Sequence, residues 1–256
     1  MNRFESLFKS RKDLLSIYFT AGYPALNDTM VILKALQEAG VDFVEIGIPF
    51  SDPLADGPVI QGSGNQALKN GMNLKLLFRQ LKDMRKEITM PVTLMGYINP
   101  VLKYGIEKFV ADCAAVGVDG VIIPDLPFEM YIEKYKVLFE SKGIANIFLI
   151  APQTPEERVR KLDQYGSGFL YMVSSAAVTG AKSSLSPSQI SYFERIRDMK
   201  LKSPRVVGFG ISNKETYEGV CKYADGAIIG SAFVKLLENS SDLRGDILKF
   251  VKSIKG

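Results

Sequence analysis

Hydrophobic positions along the chain gather in short, nearly unbroken runs that recur at intervals of roughly 20 to 35 residues. Runs at 14–21, 43–48, 92–97, 120–124, 146–151, 169–173, 205–208 and 226–229 carry few polar interruptions. That is the pattern of strands covered on both faces in a parallel sheet. Between them apolar residues recur every three or four positions, which predicts helices over 28–39, 74–88, 106–115, 130–141, 155–165, 187–199, 214–222 and 242–254. Glycines at 40, 117 and 143 stop three of these patterns, and Pro155 ahead of Glu156 and Glu157 opens another. Eight strand-then-helix units without a linker predict a closed (β/α)8 barrel, the TIM-barrel architecture, as one domain over 1–256. A doubly wound open sheet is the alternative. Residues 2–9, with Phe4, Leu7 and Phe8 at helical spacing, predict an extra helix across the barrel floor.

The second unit departs from this regularity. Its strand carries a carboxylate, Glu45, among Phe43, Val44, Ile46 and Ile48, and then breaks into SDPLADGP, with three prolines from Pro49 to Pro58 and two more acids, Asp52 and Asp56. A carboxylate in a buried strand is costly to desolvate unless it is paired or used, and burial raises its pKa toward the range of proton exchange near neutral pH. A Glu held by neighbours for packing alone is the plain alternative; the acidic loop favours chemistry.

Composition narrows that chemistry. The chain has no histidine, which excludes Ser-His-Asp triads, Cys-His dyads and His-ligated metals. Any general acid or base is then Asp, Glu, Lys, Tyr or Cys. The charge of +4 is mild and no basic run is dense enough for nucleic acid. Cys113 and Cys221 read as reduced thiols, no apolar run approaches a membrane span, and the first residues lack a signal core, so a cytoplasmic protein is expected.

Three small-residue turns end late strands: Val178-Thr179-Gly180 after the sixth, Gly208-Phe209-Gly210-Ile211-Ser212 after the seventh, and Gly230-Ser231 after the eighth. Glycine lets backbone N–H groups approach an anion, and Ser231 opens a short predicted helix, 231–238, whose N-terminus would face it. Barrels of this kind hold phosphate at the loops after strands seven and eight. The polar stretch 174–187, beside those turns, has the length of a lid.

Together these features resemble the tryptophan synthase α subunit family over essentially the whole length. The carrying motif is VEIGIPFSDPLADGPVIQ (44–61), supported by YFTAGYP (18–24), LMGYINP (94–100), PDLP (124–127), VTG (178–180), GFGIS (208–212) and GSA (230–232). The resemblance implies retro-aldol cleavage of indole-3-glycerol phosphate to indole and glyceraldehyde 3-phosphate, with no cofactor or metal in this chain. It also implies a partner β subunit, which carries pyridoxal phosphate and receives the indole, in an α2β2 heterotetramer. Carried over by position, Glu45 matches the acid/base glutamate, Asp56 the aspartate near the indole nitrogen, and Tyr171 a tyrosine lining the site. Backbone around Thr179, Gly180, Gly210, Gly230 and Ser231 would hold phosphate. Tyr18, Met95, Ile122, Ile150, Phe209 and Ile229 would form the apolar indole pocket. Asp52, Pro53 and Asn99 would face the β subunit.

Two positions differ from the common family pattern: Ser174-Ser175-Ala176-Ala177 precedes VTG, and Tyr18 stands where phenylalanine is frequent. Another phosphate-binding barrel isomerase lacks the SDPLADGP loop. A non-catalytic docking subunit would need neither Glu45 nor Asp56.

Overall fold

The computed structural model describes residues 2–173, 185–208 and 210–256. Helix α1 (Arg3–Ser10) leads into β1 (Leu14–Thr20), α2 (Asp28–Glu38), β2 (Phe43–Gly47), α3 (Pro58–Lys69) and α4 (Leu74–Leu81). There follow β3 (Val92–Met95), α5 (Ile98–Tyr104), α6 (Ile106–Val116) and β4 (Gly120–Ile122). Helix α7 (Phe128–Met130) passes through a π-helical segment, Tyr131–Tyr135, into α8 (Lys136–Ser141). The chain continues through β5 (Ala145–Asn146), β6 (Phe148–Ile150), α9 (Glu156–Tyr165), β7 (Leu170–Val173) and α10 (Pro187–Asp198). It ends with β8 (Arg205–Gly208), α11 (Lys214–Cys221), β9 (Gly226–Ile229), α12 (Ser231–Glu238) and α13 (Leu243–Lys255).

All strand pairings are parallel, in the order β5-β4-β3-β2-β1-β9-β8-β7-β6. The ends of that order, β5 and β6, are two pieces of one predicted strand. Ala145 and Asn146 pair with β4, while Phe148 to Ile150 pair with β7, so residues 145–150 close the ring. Between the pieces the Ile147 N–H still donates to Val121 O at 3.0 Å. The barrel is therefore the predicted one, its fifth strand handing over from one neighbour to the other.

Alternation along each strand sorts side chains into two cores. Inward positions build a small cluster with Leu14, Phe43, Ile122, Ile147, Tyr171, Val206 and Ile228. Outward positions such as Ile17, Val44, Leu94 and Val207 pack against the helices in a far larger one. The predicted floor helix is α1. Asn2 caps it by accepting from Phe4 N–H, and Phe4, fully buried, meets Phe43 and Phe169 edge-on with centroids 5.6 Å away in each case. These rings plug the N-terminal end of the barrel.

Two helices fall outside the predicted set. Helix α3 (PVIQGSGNQALK) contains two glycines, a serine and an asparagine, all weak helix formers, so its periodicity is faint; Pro58 at its first position sets its start. Helix α5 has only seven residues, and its end at Gly105 rests on φ +93°, a conformation that suits glycine. The helix predicted over 74–88 stops at Leu81 and resumes as a single 3₁₀ turn, Met84–Lys86.

Candidate active site

Strand register decides which side chains meet at the open end. Tyr18 on β1 is level with Glu45 on β2, and Glu45 with Thr93 on β3, so all three point to the same face of the sheet. One layer higher, Thr20, Gly47, Met95 and Ile122 are level across β1 to β4. That face is the barrel interior, where Tyr18, Met95, Ile122 and Tyr171 share one cluster.

Glu45 is 0% exposed, and among the described residues neither carboxyl oxygen has a hydrogen-bond partner. Burial alone pushes its pKa from 4.5 up to about 8. Asp56 lies in the loop that leaves β2. Its pKa rises to about 6 through burial, opposed by the Tyr97 hydroxyl. The two carboxylates and two pocket tyrosines sense one another: Asp56 and Glu45 both hold the Tyr18 hydroxyl protonated beyond the effect of burial, and both act likewise on Tyr171. A small cavity at this mouth is lined by Tyr18, Asp56, Met95, Tyr97 and Pro124 among others.

The loop that carries Asp56 is fixed at both ends. Gln61 on α3 donates from Nε2 to Asp56 O at 2.9 Å and to Pro53 O at 3.3 Å. From the other side Ala55 N–H donates to Tyr97 Oη at 3.0 Å, while the Tyr97 ring packs on Phe50. Tyr97 and Gln61 are functional neighbours that sequence reading did not single out, although both lie within quoted motifs. Nothing in their spacing distinguishes a clamp from a surface residue.

Two glycines make room for the pocket tyrosines. A Cβ on Gly47 would collide with the Tyr18 hydroxyl, and a Cβ on Gly208 with the Tyr171 hydroxyl. Each ring thus leans across the neighbouring strand at a position only glycine leaves open.

Two expected pocket residues are corrected. Ile150 and Ile229 are buried, but they belong to the outer core between sheet and helices. Ile150 is level with Met172 and Ile229 with Ile17, both outward-facing. The period of two puts their neighbours Leu149 and Ile228 on the inner face instead. Of the anion-site residues, Gly210 follows β8 with φ +76°, and Gly230 and Ser231 join β9 to α12, with Gly230 against the Tyr18 Cβ. Thr179, Gly180 and Phe209, and residues 174–184 of the expected lid, lie outside the described residues. Asp52 and Pro53 sit on the Asp56 loop beside Leu54, which is 94% exposed, and Asn99 is exposed on α5. The Ala55–Tyr97 bond ties those two segments together.

A sequence model of the tryptophan synthase alpha chain matches residues 4–254. The chain belongs to the tryptophan synthase alpha chain family. It is 54% identical to the tryptophan synthase alpha chains of Flavobacterium johnsoniae and Parabacteroides distasonis, with 100% of each chain covered in both comparisons. Its fold is similar to tryptophan synthase subunit alpha from Legionella pneumophila, with a TM-score of 0.89 at 33% identity over 99% of this chain and 97% of that one. It is also similar to a chain of tryptophan synthase from M. tuberculosis in an aminoacrylate-bound form, with a TM-score of 0.87 at 28% identity over 99% and 98%. The motif from Val44 to Gln61, on which the alpha chain resemblance rested, is the segment that builds the Glu45–Asp56 mouth. Among the described residues no helix is long and apolar enough to cross a membrane.

Proposed function

We propose that Glu45 and Asp56 carry out the lyase reaction of the family, the retro-aldol cleavage of indole-3-glycerol phosphate to indole and glyceraldehyde 3-phosphate. The observation that supports this most is Glu45 itself: fully buried, unpaired at both oxygens among the described residues and lifted to about 8, it is a protonated acid at neutral pH. Its proton goes to indole C3. The bond from C3 to the first glycerol carbon then breaks, its electron pair returning to the ring. The hydroxyl on that carbon becomes the aldehyde and gives its proton to the Glu45 carboxylate, restoring the acid. Asp56, ionised above pH 6, accepts the indole N–H as positive charge grows on the ring. Tyr18, Met95, Ile122 and Tyr171 would flank the flat indole, and backbone N–H groups around Gly180, Gly210, Gly230 and Ser231 would hold the phosphate.

The same reading gives the loop of Asp52, Pro53 and Leu54, with Asn99 on α5, to a partner β subunit that holds pyridoxal phosphate, in an α2β2 assembly. Leu54, 94% exposed at the loop tip, is the apolar side chain this loop would offer to such a partner. The test is indole release from indole-3-glycerol phosphate by the purified chain, with and without a β subunit. Slow release that the partner accelerates is the expected result. No indole under either condition would overturn the lyase reading.

A further inference from the structure

The barrel interior holds two hydroxyls that the reaction above does not use. Thr93 Oγ1 and Ser16 Oγ are each on a residue 0% exposed, and neither has a hydrogen-bond partner among the described residues. Both residues face inward. Thr93 is level with Glu45 on the adjacent strand, and Ser16 is two residues before Tyr18, on the other flank of Glu45 and one layer lower. Buried polar groups are normally satisfied, and an orphaned one costs about 1–3 kcal/mol. Here two orphaned hydroxyls flank a carboxyl group whose own two oxygens are orphaned. The other inward neighbours are the pocket tyrosines Tyr18 and Tyr171 and the apolar Leu14, Phe43, Ile122, Val206 and Ile228.

The reaction explains what such donors are for. Between giving its proton to indole C3 and recovering one from the glycerol hydroxyl, Glu45 is a bare carboxylate in a buried, largely apolar interior. An ionised carboxylate there is costly unless donors turn to meet it. We propose that Thr93, seconded by Ser16, is a positioning residue for Glu45, donating a hydrogen bond to the carboxylate formed between the two proton transfers. This rests on the acid/base reading of Glu45 and deepens it. Adjacent strands lie about 5 Å apart, so the longer Glu45 side chain needs only a change of rotamer to meet the Thr93 hydroxyl. The other titratable groups facing Glu45 are Tyr18 from β1, Tyr171 from β7 and Asp56 from the loop after β2. Among the described residues, the inward positions of β4, β8 and β9 in this cluster (Ile122, Val206 and Ile228) carry no titratable group.

The test compares Thr93→Val, Thr93→Ser and Ser16→Ala in the full chain assembled with its β subunit. Valine keeps the shape of threonine and removes only the donor. Thr93→Val is expected to lower kcat about 3- to 30-fold with KM for indole-3-glycerol phosphate unchanged, the loss of one charge-assisted hydrogen bond. The Glu45 limb of the pH profile should move upward, because the ionised form has lost a donor. Thr93→Ser should restore both, and Ser16→Ala should show the same signs at smaller size. An idle hydroxyl predicts the opposite: wild-type kcat, an unmoved pH limb and a raised thermal midpoint as an orphaned polar group is removed. That outcome overturns the proposal. If Thr93→Val fails to fold, the Glu45 carboxyl is titrated by ¹³C NMR in wild type and Ser16→Ala, and an unmoved titration overturns it equally. Glu45→Gln separates the two readings. Full activity there removes the acid/base reading and this inference with it, whereas an inactive Glu45→Gln beside an indifferent Thr93→Val removes the inference alone.

Discussion

The floor and the mouth of this barrel treat carboxylates in opposite ways. At the floor Asp119 is buried yet satisfied: it pairs with Arg3 at 2.9 Å and Arg85 at 2.5 Å and accepts Val92 N–H at 2.8 Å. Asp42 pairs with Arg11 and Lys255 and accepts Leu15 N–H, and Asp225 repeats the arrangement with Lys12, Arg205 and the Arg205 N–H. Those partners hold the Asp225 carboxyl below its usual range against the opposing effect of burial. At the mouth, among the described residues, Glu45 has no hydrogen-bond partner and Asp56 has the Tyr97 hydroxyl against its burial, and both rise. The floor acids tie strand starts to cations and backbone. The mouth acids are left where a change of charge costs most and so responds most to a substrate. Burial alone does not separate the two sets of acids; the number of partners each one has does.

Substitutions can break that contrast. The largest expected effect is Glu45→Gln, which removes the proposed proton carrier and should lower kcat by about 10²–10⁴ in an indole-release assay while the circular dichroism spectrum stays native. Asp56→Asn, which keeps the shape and loses the charge, should lower kcat by about 10². At the floor the pattern inverts. Asp119→Ala leaves the half-buried Arg85 its backbone carbonyl acceptors but no counter-charge and should cost about 3 kcal/mol in urea unfolding, yet leave kcat near wild type.

The pH dependence sharpens the comparison. The ratio kcat/KM should rise as Asp56 ionises near pH 6 and fall as Glu45 loses its proton near pH 8, giving a bell with its top between them. Stability carries the same signature. Glu45 has a folded pKa above its unfolded value, so its contribution is fully present below pH 4.5 and is lost as pH rises through about 8. Glu45→Gln, with nothing to ionise, should therefore match wild type near pH 4 and exceed it by on the order of 5 kcal/mol at pH 9. Urea midpoints at the two pH values check this. A constant gap would remove the proton as its cause.

Much of this was legible in the residues, for reasons that differ by region. Strands β8 and β9 coincide with the apolar runs at 205–208 and 226–229, because strands buried on both faces leave an unbroken apolar trace. Helix α12 matches its predicted span as well. The same trace hides which face each residue takes, and so Ile150 and Ile229 were expected in the pocket although they point outward. Register with the neighbouring strand is what separates Ile150 from Leu149, and one strand's sequence does not carry it. Glu45 announced itself as a lone charge in an apolar run. Tyr97, a tyrosine near a strand end, had no such contrast with its surroundings, and its role depends on a loop some forty residues earlier.

The seating of the pocket tyrosines has a consequence for how such a pocket can change. Tyr18 occupies space that a side chain on Gly47 would need, and Tyr171 does so for Gly208. Each pair is thus one unit of inheritance for pocket volume. A methyl gained on the glycine calls for the tyrosine to move or lose atoms, so varying the glycine alone samples mostly blocked pockets. Variation that treats each pair as one site would reach shapes for larger or differently substituted indoles that single steps do not.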